Sequence, residues 1–290
     1  MDKDSSILKH SIIKVNADHT LATLDTLAIE EPLEIRLAYG DKLNRTVKNI
    51  SVTMRTPGND AELATGFLFT EGIIKHQNDL ASVAHCFIAC AENKENVIQV
   101  ELNESLIPEL KNTDRNFYTT SSCGVCGKGS IDAIKTVSAF QPDKNNDLLV
   151  TQDILLELPD RLRQHQRVFE ATGGLHACAL FNAGGELMLV REDVGRHNAL
   201  DKLIGAALNN NSLPLDQHIL LLSGRASFEL VQKAAMAGIS IIAAVGAPSS
   251  LAVQLAAEFG ITLVGFLRQQ QFNIYTMEHR ILLPHYEDKN

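Results

Sequence analysis

The chain has 290 residues, enough for two domains or one large one, and its 45% hydrophobic and 21% charged residues with a mean hydropathy of -0.02 exclude the disordered and membrane classes. Lys and Arg number 26 against 35 Asp and Glu, and the net charge of -9 argues against a general nucleic-acid binder, which needs a basic face. A phosphate-bearing small ligand stays open, because a few local cations and free backbone N–H groups suffice for it.

Residues up to about Leu24 are polar without sustained periodicity and read as a tail or a loosely attached strand. The start of the chain has acidic residues where a signal peptide would be basic, and no segment reaches the ~18 apolar residues of a membrane span. A cytoplasmic chain with no membrane and no nucleic-acid partner is expected. Alternation over Leu33, Ile35, Leu37 and then Val47, Ile50, Val52, Met54 predicts half-buried strands up to Pro57-Gly58. Asn59 or Asp60 can cap a helix carrying Leu63, Phe67 and Leu68, and strand-like runs follow at Ala84 to Ala89 and Val97 to Leu102. A helix is expected over residues 131–140 and another from Asp153 to Phe169, started or kinked by Pro159.

A hairpin follows, Leu175 to Asn182 and Glu186 to Arg191 around Gly184-Gly185, and then strand and helix patterns alternate. These are helix Arg196 to Leu208, strand Ile219 to Leu222, helix Ser227 to Gly238, strand Ile239 to Val245, helix Ser250 to Gly260 and strand Ile261 to Phe266. Continuous apolar strands between helices imply a mostly parallel sheet covered on both faces. The organisation expected is a tail over 1–24, a smaller α+β domain over 25–120, a cysteine loop at 121–129 and an α/β domain over 130–290.

Five cysteines, Cys86, Cys90, Cys123, Cys126 and Cys178, are too odd a set for complete disulfide pairing and read as reduced thiols. Cys123-Gly124-Val125-Cys126-Gly127-Lys128-Gly129 puts two sulfurs in a glycine-rich loop before a helix, where Lys128 and helix N–H groups favour thiolate, the nucleophilic form. A CxxC pair alone also suits zinc, a redox dithiol or a structural role. Zinc would take two further ligands from His176 with Cys178 or Cys86 with Cys90, and neither pair has the spacing of a ribbon or finger. The Thr172 to Cys178 segment fails the H-x-E signature of zinc deaminases, since position 178 is Cys and the CxxC comes first. His176 could still contact a ligand but reads first as a hydrogen-bonded core residue, and Cys178 reads as packing. Arg191 to Asn198, Ser223-Gly224-Arg225-Ala226-Ser227 and Gly246 to Ser250 each end a strand and open a helix, an arrangement suited to phosphate or pyrophosphate; a solvated charged turn is the bland alternative for the first. The segment Gly265 to Tyr275, with Arg268 and three amides, can clamp a purine nucleotide or merely leave the sheet.

SSCGVCGKGSID, ATGGLHACALF, REDVGRHNALDKLIG, LLSGRASFELVQKAAMAGI and VGFLRQQQFNIYT, in this order after PGNDAELATGFLFTEGII, resemble the formate dehydrogenase accessory protein family (FdhD) from about Leu33 onward. The resemblance implies an α/β fold, with a C-terminal three-layer α/β/α deaminase-like domain lacking zinc chemistry and a smaller α+β N-terminal domain. It implies a sulfurtransferase that moves persulfide sulfur from a cysteine desulfurase to the molybdenum (or tungsten) bis(molybdopterin guanine dinucleotide) cofactor of formate dehydrogenase. Cys123 would carry the persulfide and Cys126 would be its relay partner, while Phe266, Leu267, Arg268, Gln269, Gln270 and Gln271 match the cofactor-binding segment. A homodimer without a bound metal of its own is expected. A dithiol oxidoreductase and a non-catalytic cofactor chaperone are the rival readings.

Overall fold

The computed structural model describes residues 6–86, 95–104, 106–108, 110, 140 and 148–283. Cys90, Cys123, Cys126 and the helix expected over 131–140, save Phe140, lie outside the described residues.

Strands β1 (Ile7–Val15) and β2 (Thr20–Ala28) pair antiparallel along their full length, so the segment read as a tail or loose strand is a hairpin. Next come β3 (Glu31–Tyr39), β4 (Thr46–Arg55), helix α1 (Asp60–Thr70), β5 (Leu80–His85) and β6 (Val97–Leu102), whose strands form a sheet of order β4-β3-β6-β5. Leu33, Ile35 and Leu37 of β3 all face the core, as their alternation predicts. Of the alternating set expected in β4, Ile50 is buried but Val47 and Met54 are exposed. The pairing with β3 slips between Ile35 and Arg36, and the extra residue in β4 moves the residues beyond it to the other face. Asn59 occupies the N-cap position of α1 with φ 57° and makes no side-chain cap; Asp60 also departs from the expected capping role, because its carboxylate is taken by Arg55.

The second part runs β7 (Val150–Thr151), α2 (Gln152–Arg163), α3 (Arg167–Thr172), β8 (His176–Phe181), β9 (Leu187–Asp193), α4 (Arg196–Asn209), β10 (Ile219–Leu222), α5 (Phe228–Met236), β11 (Ile241–Ala244), α6 (Ser250–Glu258), β12 (Thr262–Arg268), β13 (Gln271–Thr276) and β14 (Ile281–Leu282). The single helix expected from Asp153 is two, and Pro159 sits inside the first instead of starting it. Six strands form one sheet of order β13-β12-β11-β10-β8-β9. Its pairing corrects the mostly parallel expectation: β10, β11 and β12 are parallel, whereas β8, β9 and β13 join antiparallel. Helical crossovers link β9, β10, β11 and β12, which all run the same way, while short turns join β8 to β9 and β12 to β13 and so reverse β8 and β13.

Alternation along these apolar strands assigns each residue to a layer. Cys178, Leu180, Leu220, Leu222, Ile242 and Ala244 face a core shared with α4, α5 and α6, while Ala177, Ala179, Phe181, Leu221 and Ala243 face Leu155, Leu158 and Leu162 of α2. The first core continues through α1 to Leu33, Ile98 and Val100, so the two sheets share it. The join is a helix crossing at Gly66 of α1 and Gly205 of α4, where a Cβ on either glycine would overlap the backbone of the other helix. No described helix is long and apolar enough to cross a membrane.

Candidate functional site

The parallel strands end at one edge of the sheet, and their loops are bonded to one another in sequence. Val245 N donates to Leu222 O, Gly246 N to Gly224 O (2.9 Å), Ala226 N to Ala247 O (3.2 Å), Ser249 N to Ala226 O (3.0 Å) and Phe266 N to Gly246 O (3.1 Å). The loops after β10, β11 and β12 therefore stand side by side, as their positions after parallel strands suggest. Two glycines are required sterically: a Cβ on Gly246 would lie 3.0 Å from the Arg225 backbone, and one on Gly265 would lie 2.7 Å from Pro248. Because β8 runs against β10, its first residue arrives at the same edge. His176 lies beside Gly224, and Ser223 Oγ accepts from Ala177 N at 2.8 Å. Burial and the Arg196 charge lower the His176 pKa, which Asp193 partly opposes. Cys178 is fully buried and its thiol is pushed up by that burial and by the Asp201 and Asp193 charges, which makes it packing and not a nucleophile.

The charged run from Arg191 to Asn198 is far from a solvated turn. Asp193 is completely buried, pairs with Lys202 Nζ at 2.7 Å and accepts from Thr56 N, Gly195 N and Asn198 Nδ2. Burial drives its carboxyl above the usual range, and Lys202 offsets part of that shift. Lys202 also donates to Thr56 O, Asn198 Nδ2 to Met54 O, and Arg191 makes a two-pronged pair with Glu62. These contacts sew the end of β4 to the end of β9 and to α4, and helix α1 to β9. A second buried pair lies deeper, where Lys233 donates to both Asp201 oxygens (2.9 Å) and to Thr70. Burial pulls Lys233 down, but Asp201 and Glu71 more than offset it, and its pKa is raised.

At the start of α4 and α5, His197 Nε2 lies 3.0 Å from Glu229 Oε2 and 3.3 Å from Ser227 Oγ. Ser227 is the N-cap residue of α5 yet makes no side-chain cap, whereas Ser249 Oγ caps α6 by accepting from Ala252 N. Burial, reinforced by Arg196, Lys233 and His176, lowers the His197 pKa to about 3. The imidazole is therefore neutral, and the Glu229 contact is a hydrogen bond from Nε2–H. A histidine that takes up its proton in the unfolded chain at 6.5 but in the folded protein only near 3 costs stability as the pH falls through that window. Between pH 7 and pH 5 the loss should be about 2 kcal/mol. Urea unfolding at both pH values should show a loss larger by about that amount in the wild type than in His197→Gln.

The segment Phe266 to Gln271 is the end of β12, its hairpin turn and the first residue of the edge strand β13, not an irregular exit from the sheet. Phe266 holds φ 53°, a left-handed backbone that L residues rarely adopt, at an irregularity in the β12–β13 pairing, and Arg268 and Gln271 face each other across the turn. Leu267 is buried in the α2 core, while Arg268, Gln269, Gln270 and Gln271 are exposed. A groove of about 620 Å³ lies against Gln270, Gln271, Phe272 and Asn273, with Gln152 and Leu156 of α2 opposite. The sequence reading missed Asp160, Thr56 and Glu229, whose partners lie 109, 137 and 32 positions away at Gln269, Asp193 and His197 respectively; no local pattern reports such pairs. Among the described residues no group of three or more His, Cys, Asp and Glu is placed to hold a metal ion.

A mixed α/β chain with this sheet edge and these motifs belongs to the FdhD/NarQ family, whose profile matches residues 28–282. It is 51% identical over 278 residues to a protein of Streptomyces coelicolor named "Sulfur carrier protein FdhD", covering 95% of each chain. A protein of the same name from Sulfurisphaera tokodaii is 41% identical over 271 residues, covering 93% of this chain and 97% of the relative. The fold is that of a crystal structure described as a putative formate dehydrogenase accessory protein from Desulfotalea psychrophila, with TM-score 0.70, 23% identity and coverage of 96% of this chain and 100% of that one.

Proposed function

We propose that this chain is a cytoplasmic sulfur carrier, a sulfurtransferase required for formate dehydrogenase maturation. Cys123 takes the outer sulfur of a cysteine desulfurase persulfide and delivers it to Mo-bis(molybdopterin guanine dinucleotide), held along Phe266 to Gln271, before that cofactor enters formate dehydrogenase. The observation that carries this reading is identity of about half the residues, over nearly the whole length, with proteins named as sulfur carriers. The glycine-rich CxxC loop supplies the chemistry.

In the first step the Cys123 thiolate attacks the outer sulfur of the donor persulfide; a new S–S bond forms at Cys123, the donor S–S bond breaks, and its electron pair leaves on the desulfurase thiolate. In the second, either that sulfur passes to Cys126 as a new persulfide, or Cys126 attacks the inner sulfur, leaving a Cys123–Cys126 disulfide and freeing hydrosulfide for the metal. The layout of the six-stranded half, helices on both faces of a sheet with parallel central strands, supports a deaminase-like α/β/α domain. A homodimer completes the proposal and is checked by sedimentation.

Intact-protein mass after incubation with a cysteine desulfurase and cysteine tests the carrier role. Wild type should gain one sulfur atom and Cys123→Ala should gain none. Loss of two hydrogens without added sulfur would instead mark a dithiol oxidoreductase, and an unchanged mass a cofactor chaperone.

A further inference from the structure

Gln152, Leu156 and Asp160 are spaced four residues apart and lie on successive turns of one face of α2. The first two line the groove against Gln270 and Gln271. One turn further on, Gln269 Nε2 donates to both oxygens of the Asp160 carboxylate, at 3.2 Å to Oδ1 and 2.9 Å to Oδ2. Both groups are exposed, and the amide belongs to the turn, so a change of its side-chain rotamer frees the carboxylate without moving backbone. Arg161, the adjacent cation, is committed to Gly185 O and Glu157, on the hairpin side of the helix. Asp160 also sits toward the C-terminal end of α2, where the helix dipole disfavours an acidic group.

We propose that Asp160 is the residue that selects guanine in the bound dinucleotide; this rests on the reading that the turn at 266–271 holds the nucleotide end of the cofactor. Both oxygens of a carboxylate accept in one plane, and the Gln269 NH2 group now occupies that fork. Guanine offers two adjacent donors on its Watson–Crick edge, N1–H and the N2 amine, which fit the same fork as a charge-assisted bidentate pair. Adenine places an unprotonated N1 there beside its N6 amine, so a lone pair faces a carboxylate oxygen. Hypoxanthine keeps N1–H but lacks the N2 amine and makes half the contact. On ligand binding Gln269 yields its place to the base, the groove between α2 and β13 receives the ring, and Arg268 on the same turn supplies the cation for the phosphates.

Equilibrium binding of GDP, IDP and ADP to the full-length wild type and to Asp160→Ala, Asp160→Asn and Arg268→Ala tests this. Wild type should bind GDP most tightly, IDP less so and ADP least. Asp160→Ala should lose GDP affinity by on the order of 10- to 100-fold, the range for a bidentate base contact, with ADP affinity unchanged. Asp160→Asn, which offers one acceptor and one donor, should flatten the GDP to ADP ratio. Arg268→Ala should weaken all three nucleotides together. Guanine preference kept in both Asp160 variants would overturn the assignment and leave the nucleotide site standing. Failure of the wild type to bind GDP, or binding indifferent to Arg268→Ala, would overturn the site and the assignment with it.

Discussion

Gly66→Val should remove the cooperative fold or lower the melting temperature by about 10 °C, a loss of about 4 kcal/mol, in the range reserved for severe core changes. At the α1–α4 crossing a Cβ on Gly66 would lie 2.7 Å from the Asp201 carbonyl carbon and overlap its oxygen, and one on Gly205 would meet Glu62 in the same way. Backbone cannot yield as a side-chain tip does, so the helices must separate along their whole contact. That contact carries Leu63, Leu68, Leu200, Leu203 and Ile204 into the core shared by the two sheets. Separation also pulls Glu62 from Arg191 and Thr70 from Asp201. Thermal melts by circular dichroism check it, with Gly174→Ala as the comparison, since nothing lies closer than 3.9 Å to a Cβ there. A Gly66→Val melt within 2 °C of wild type, roughly a fraction of a kcal/mol at this size, would mean the crossing is far looser than described.

Lys202→Met should cost about 3–5 kcal/mol at pH 8, because it strips the cation from a wholly buried carboxylate. Lys202 and Asp193 are 2% and 0% exposed and 2.7 Å apart, and the change also takes the donor from Thr56 O. Burial already holds the Asp193 carboxyl above its ordinary range, and without Lys202 it rises further. A carboxyl whose folded pKa exceeds its unfolded one destabilises the protein as the pH rises through that folded value. The defect should therefore shrink as the pH falls, and the Asp193→Asn, Lys202→Met double variant should recover most of the loss at pH 8. Urea unfolding of the four proteins closes the cycle. Additive single losses would show that the pair is not coupled.

The pair shows where the sequence reading stops. In REDVGRHNALDK the alternation and the helix start are visible, but whether its charges meet water or one another is not. Buried Asp193 accepts from the backbone N–H of Thr56, which follows a strand more than a hundred residues earlier. The hairpin from β12 to β13 is a similar case: Phe266 to Gln271, the end of β12 with its turn, stands out by composition, yet the residues that follow carry alternating polar side chains typical of an exposed edge and read as an exit. Their partner β12 is what makes them a strand. Asp160 gave no signal at all, since an acidic residue on an amphipathic helix is ordinary until Gln269 is placed opposite.

Local chemistry alone determined the buried strands Val97–Leu102 and Ile219–Leu222, the helices between the later strands and the loops ending at one sheet edge. Each depends on interactions within a few residues: side-chain period, turn-forming glycine and apolar run length. Tertiary structure decided the strand directions at both flanks of the large sheet, the bulge at Ile50 that puts Val47 and Met54 on one outer face, the Gly66–Gly205 crossing and the partner of every buried charge. Those outcomes follow from steric fit and desolvation between segments far apart in the chain, and only the assembled fold brings such segments within range of each other.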